Sequence, residues 1–116
     1  MTGMKLKVSD NVAFDVRFTL NDDGTPAEFG FRVEAKRTKQ PDSASGETVG
    51  DFLAKRALVR MTRWVDDRSP LEDDDGKAAA PGAAALSALY DLLPNMPGLV
   101  LGAYLEATGA KAKSGN

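Results

Sequence analysis

Residues 12–20 read VAFDVRFTL, in which Val12, Phe14, Val16, Phe18 and Leu20 alternate with Ala13, Asp15, Arg17 and Thr19. A period of two puts the first set on one face of a strand and the second set on the other. Residues 29–36, FGFRVEAK, repeat the pattern: Phe29, Phe31, Val33 and Ala35 on one side, Gly30, Arg32, Glu34 and Lys36 on the other. The intervening Asn21-Asp22-Asp23-Gly24-Thr25-Pro26 supplies residues that tolerate positive φ or preset a bend. Two such runs joined by a short Gly-containing turn predict an antiparallel hairpin, with four of the five Phe residues on its inward faces. Met4 to Val8 also alternates and is a candidate third strand.

A lone hairpin is unstable in water, so a second layer has to cover it. Residues 38–46, TKQPDSASG, are polar and aperiodic, as a linker is. Thr48-x-x-Asp51 has the form of a capping box and predicts a helix start. Val49, Phe52, Leu53, Ala57, Met61, Trp64 and Val65 then track one broad face at helical spacing, with Lys55, Arg56, Arg60 and Arg63 opposite. Val59 fits neither side cleanly. Pro70 and the acidic run Glu72-Asp73-Asp74-Asp75-Gly76 stop that helix. Pro81-Gly82 suits the start of a second one, in which Leu86, Leu89, Tyr90 and Leu93 form a stripe at i, i+3, i+4, i+7. Pro94 and Pro97 force a break, and Asn95 is placed to cap a third helix from Leu99 to Thr108, closed by Gly109. Lys111 to Asn116 reads as a frayed end. The expected fold class is α+β: an N-terminal antiparallel β-hairpin or three-stranded sheet packed against about three C-terminal helices. One domain holds a sheet part (1–38), a linker (39–47), a helical part (48–109) and a flexible tail (110–116).

The totals restrict function. The chain has 116 residues, enough for one modest core, with 42% apolar and 28% charged residues. A net charge of −2 argues against a dedicated nucleic-acid partner. With no Cys and no His, thiolate chemistry, imidazole proton transfer and the usual zinc sites are unsupported. No leader-like or membrane-spanning apolar run occurs, so a cytoplasmic location without a membrane partner is expected.

Candidate chemistry is thin. Setting Gly76 at the sixth position of a calcium loop places Leu71 first and Gly82 twelfth, and neither is a ligand of the required kind. Asp66-Asp67 lacks a second catalytic residue type and reads as loop solvation. Neither catalytic, cofactor-binding nor metal residues are assigned. The basic set Arg32, Lys36, Arg37, Lys39, Lys55, Arg56, Arg60 and Arg63 is diluted by Glu34, Glu47, Asp51 and Asp66, as on a solvated face. Trp64 reads as core; Tyr104 is equally a core residue or an interface anchor. The surplus lies in Leu86, Leu89, Leu92, Leu93, Met96, Leu99, Val100, Leu101, Tyr104 and Leu105, which cover more than one helical face. A contact surface is therefore expected, carried by Leu89, Leu93, Met96, Leu99, Leu101 and Tyr104.

Trp64 ending an amphipathic stretch, the Asp75-Gly76 loop, Pro97-Gly98, Tyr104-Leu105-Glu106 and the basic tail occur in an order that resembles the tail assembly chaperones of long-tailed bacteriophages and prophages. The resemblance covers most of the chain and is strongest from Phe52 to Asn116. It implies a non-enzymatic protein, without cofactor, that binds the tape measure protein, keeps that helical chain soluble and helps bring tail tube protein to it. It further implies a frameshifted longer form of the same protein, with Lys111 to Asn116 ending the short form. A ring-forming tail-completion or head–tail joining subunit is the alternative, and a small nucleic-acid-binding module using Lys55, Arg56, Arg60 and Arg63 ranks below it.

Overall fold

The computed structural model describes residues 3–112. Strands β1 (Asn11–Asp22) and β2 (Thr25–Lys36) pair antiparallel along their whole length, Asn11 opposite Lys36 and Asp22 opposite Thr25. Only Asp23 and Gly24 remain for the turn, both at positive φ (51° and 88°), the two-residue geometry whose twist matches the flanking strands. Asn21 Oδ1 accepts the Gly24 N–H at 2.7 Å. The alternation holds: Phe14, Val16, Phe18, Phe31, Val33 and Ala35 are buried on one side. The other side carries the Asp15–Arg32 pair at 3.2 Å and the Lys36–Asn11 hydrogen bond.

The third strand is not the one expected. Gly3 to Asp10 forms no strand, and Met4, Leu6 and Val8 stand exposed. Nor does one helix run from Thr48 to Val65. The helix α1 (Val49–Asp51) continues as a π-turn over Phe52–Arg56, and Leu58, at φ 53°, then reverses the chain. Arg60–Trp64 is strand β3, antiparallel to β2, in a sheet of order β1-β2-β3. Its helical look has a physical cause. Phe31 pairs with Trp64 and Arg32 with Arg63, but Val33 pairs with Met61, so Thr62 is an extra residue at a bulge. The bulge sends Met61 and Trp64 inward at a spacing of three, which in a sequence imitates a helix. The residue that fitted neither helical side, Val59, lies in the connection just ahead of the strand and is half-buried.

At the N-terminus of α1, Thr48 Oγ1 accepts the Asp51 N–H at 3.0 Å, half of the expected capping box. The polar linker is fastened by Arg56, which donates to Glu47 Oε2 (2.7 Å) and Lys39 O (2.8 Å) and lies over the Phe52 ring. Gly30 is needed on the charged side of β2. A Cβ there would stand 3.0 Å from Val65 Cγ2 and 3.1 Å from Val16 O, so any larger residue would push Val65 or the β1 backbone aside by a few tenths of an ångström.

Helices α2 (Ala83–Leu92) and α3 (Met96–Thr108) cover the apolar sheet face. Tyr104 fixes α3 in place. Its ring makes edge contacts with Phe14 (6.3 Å between centroids) and Phe52 (5.5 Å). Its hydroxyl donates to Lys36 O at 2.7 Å and accepts the Thr38 N–H at 3.0 Å, just where β2 ends. Arg37 adds a second tie, donating to Thr108 O at the end of α3 (2.8 Å). Gly109 does end α3, but in an extended conformation, φ −75° and ψ 159°. Its value there is space: a Cβ would meet Leu105 O at 3.0 Å.

Tyr104→Phe keeps the ring and removes the bridge between Lys36 O and Thr38 N–H. The expected loss is about 1–2 kcal/mol of unfolding free energy in a urea titration, since two part-buried main-chain groups lose their partner. An unchanged midpoint would show that the bridge contributes nothing.

Candidate functional site

On α2, Ala85, Leu86 and Leu89 are buried while Tyr90 and Leu93 are half-buried, the stripe read from the spacing. Pro94 cannot continue the helix, and the chain turns by 119° into α3. Asn95 occupies the N-cap of α3 without a side-chain capping bond, and Pro97 sits in the first turn. Buried residues then recur every fourth position, at Met96, Val100 and Tyr104.

This geometry divides the six expected contact residues. Leu89, Met96 and Tyr104 are at most 1% exposed and belong to the core. They cannot touch a partner while the domain stays folded. Leu93 and Leu101 are half-buried at its border, and Leu99 is exposed. The most open apolar side chain of the pair is Leu92 at 65%, with Leu105 at 39%. Both belong to the crowded apolar set but lay outside the six. The signal was the Leu92-Leu93 adjacency: Leu93 completes the stripe of Leu86, Leu89 and Tyr90, and Leu92 falls outside it.

Two further residues went unnoticed. At about 100° per residue, Gly98 and Gly102 fall on the side of α3 that faces away from the core, beside Leu105. Both are exposed, and a Cβ added to either meets nothing within 4 Å. The domain's own packing therefore does not call for glycine there, although a mid-helix glycine costs about 1 kcal/mol relative to alanine. The outer face of α3 is thus a low surface of Gly98 and Gly102 bordered by Leu99, Leu101 and Leu105, with the exposed Glu106 between Gly102 and Leu99.

The other candidates resolve into structure. In the basic set, Arg32 pairs with Asp15, Lys55 with Asp51, Arg56 with Glu47 and Arg60 with Glu34 at 2.9 Å. Asp73 Oδ1 accepts the N–H groups of Asp75 and Lys77, both at 2.9 Å, so the acidic run is a tight turn closed by the Glu72–Ala78 bridge. Asp66 and Asp67 sit at positive φ (57° and 55°) and turn the chain off β3. Trp64 is core, as expected, and its Nε1 donates to Ala79 O at 2.8 Å to hold the loop. No cluster of three or more potential metal ligands occurs among the described residues. No single helix among them is long and apolar enough to cross a membrane.

No protein-family model, curated protein or solved structure matches this chain.

Tyr90 Oη is shielded from solvent and finds no hydrogen-bond partner among the described residues, and burial pushes its phenol up to about 12 from 10.0. Below pH 10 the phenol is neutral in the folded and unfolded chains alike. Between about 10 and 12 the unfolded chain releases a proton that the folded chain keeps, so stability falls as pH rises through that window. Tyr90→Phe should flatten this decline and leave neutral-pH stability unchanged or higher, by urea titration at about pH 8 and pH 11. Burial also raises Tyr104, so a residual slope remains. A decline as steep as in the parent protein would remove Tyr90 as its source.

Proposed function

We propose that this chain is a non-enzymatic tail assembly chaperone of a long-tailed bacteriophage or prophage, which binds the tape measure protein and assists assembly of the tail tube. The observation that carries the reading is the outer face of α3. A helical partner packs closely only where side chains are small, and Gly98 and Gly102 lower the surface where Leu99, Leu101 and Leu105 flank it. The order of motifs in the sequence from Phe52 onward resembles that family and suggests the partner, although the stretch that ends at Trp64 is a π-turn and a strand rather than the expected helix.

Binding and release have to alternate in such a role, so a shallow apolar face suits it better than a deep pocket. The proposed site uses Leu99 and Leu101 from the expected set, together with Leu105, Gly98 and Gly102. Leu93 and Leu92 extend it onto α2. Leu89, Met96 and Tyr104 act beneath it by holding the helices on the sheet.

Alanine at Gly102 separates this function from folding. Gly102→Ala should stabilise the free domain by about 0.5–1 kcal/mol and weaken its capture of co-expressed tape measure protein. Stabilisation with undiminished capture would sink the proposed helix-docking face. The coding DNA gives an independent check. A slippery heptamer near the last codons, an overlapping frame and a long helical open frame downstream are expected. Without them the ring-forming structural role becomes the better reading, and light scattering would then show a defined ring.

A further inference from the structure

The two edges of the sheet differ. Among the described residues nothing pairs with the outer edge of β1, which is twelve residues long and regular, while β3 is five residues long and bulged. The Arg37 N–H donates to Asp10 O at 2.7 Å, so Asp10 and every second residue after it turn their main-chain groups toward β2. Asn11, Ala13, Asp15, Arg17, Thr19 and Asn21 therefore turn theirs outward. Ser9 Oγ accepts the Asn11 N–H at 3.0 Å. The open run is Ala13 to Asn21. It contains no Pro, no Lys and no bulge, and its two charges, Asp15 and Arg17, are of opposite sign and meet each other at 3.5 Å within the chain.

We infer that this edge pairs with the β1 edge of a second copy of the chain, antiparallel about a two-fold axis at Val16. The charge pattern selects that register. With Val16 opposite Val16, Asp15 of each copy faces Arg17 of the other, and Ala13 faces Thr19. Sliding by one in-phase step puts Asp15 against Asp15 or Arg17 against Arg17, which repels. The same register sets Phe14 against Phe18 and Val12 against Leu20 on the inward side. These residues border the core where it is least covered: Phe14 and Phe18, each 9% exposed, are the most open of the buried set, and Val12 and Leu20 are only half-buried. The axis stands perpendicular to the sheet, so both helical layers lie on the same side of a continuous six-stranded sheet. The inference needs only the edge and is independent of the function proposed above.

The test joins mass to register. Sedimentation equilibrium should show a reversible monomer–dimer equilibrium. Arg17→Asp, which opposes two pairs of carboxylates, should weaken it about tenfold with an unchanged far-UV spectrum. Thr19→Pro, which removes an outward N–H at an edge where Pro is tolerated, should abolish it and serves if Arg17→Asp unfolds the domain. The chain has no Cys, so Ala13→Cys and Thr19→Cys each add a single thiol. Mixed, they should form a disulfide-linked heterodimer on oxidation, since paired Cα atoms lie about 5.5 Å apart; neither variant should crosslink with itself. A monomer at every concentration up to about 1 mM would overturn the proposal. So would a dimer indifferent to both substitutions, self-crosslinking of either Cys variant, or a monomer whose edge takes up an extended segment of another protein.

Discussion

The fold depends on where Tyr104 puts its two ends. The ring lies between Phe14 of the first strand and Phe52 of the π-turn, and the hydroxyl bridges Lys36 O and Thr38 N–H. One side chain thereby joins α3, the hairpin, the start of the linker and α1. A buried tyrosine hydroxyl usually takes a partner, though Tyr90 finds none among the described residues, and the end of β2 supplies one for Tyr104 because the sheet ladder stops there. With α3 placed so, Met96 and Val100 fall onto the core at successive turns. Pro94 then sets α2 at a steep angle to it. The outward side of α3 is whatever this placement leaves over.

The hairpin was legible because its information is local. Alternation and a Gly-containing turn lie within 26 residues, 11–36, and the structure reproduces both, with the strands running on into the expected turn until only Asp23 and Gly24 remain. The third strand was not legible, for two opposite reasons. Met4 to Val8 alternates without a neighbour to pair with, so the pattern is there without the structure. Arg60 to Trp64 has the neighbour, but the bulge at Thr62 replaces the period of two by a spacing of three. Leu58 hides the boundary as well, because a leucine at positive φ carries no signal in sequence. The site was half legible. Periodicity located the apolar helices, but burial, which separates Leu89, Met96 and Tyr104 from Leu99 and Leu105, is a property of the packed layers.

Charge shows the same limit. Counted along the chain, Arg32, Arg56 and Arg60 resemble a basic patch. In space they face Asp15, Glu47 and Glu34, each brought across a strand pair or a loop closure. The exposed pairs among these add little stability. Arg56 differs because it also holds the Lys39 carbonyl and covers Phe52, which ties the linker to the core. The acidic run behaves alike, since Asp73 turns its carboxylate back onto its own loop.

The bulge that disguised β3 also decides which side of the sheet is available. An extra residue disturbs the outward hydrogen-bonding row, and the positive φ of Leu58 before the strand and of Asp66 and Asp67 after it turns the chain away at both ends. What remains is too short and too twisted to template a further strand, and Arg60 and Arg63 add charge to it. Among the described residues no bulge or reversal acts on β1, where twelve residues run without interruption from Asn11 to the turn. A sheet of three strands has two edges to protect, and among the described residues this one protects only one. The other is left regular beside the least covered part of the core, with charges spaced to complement themselves.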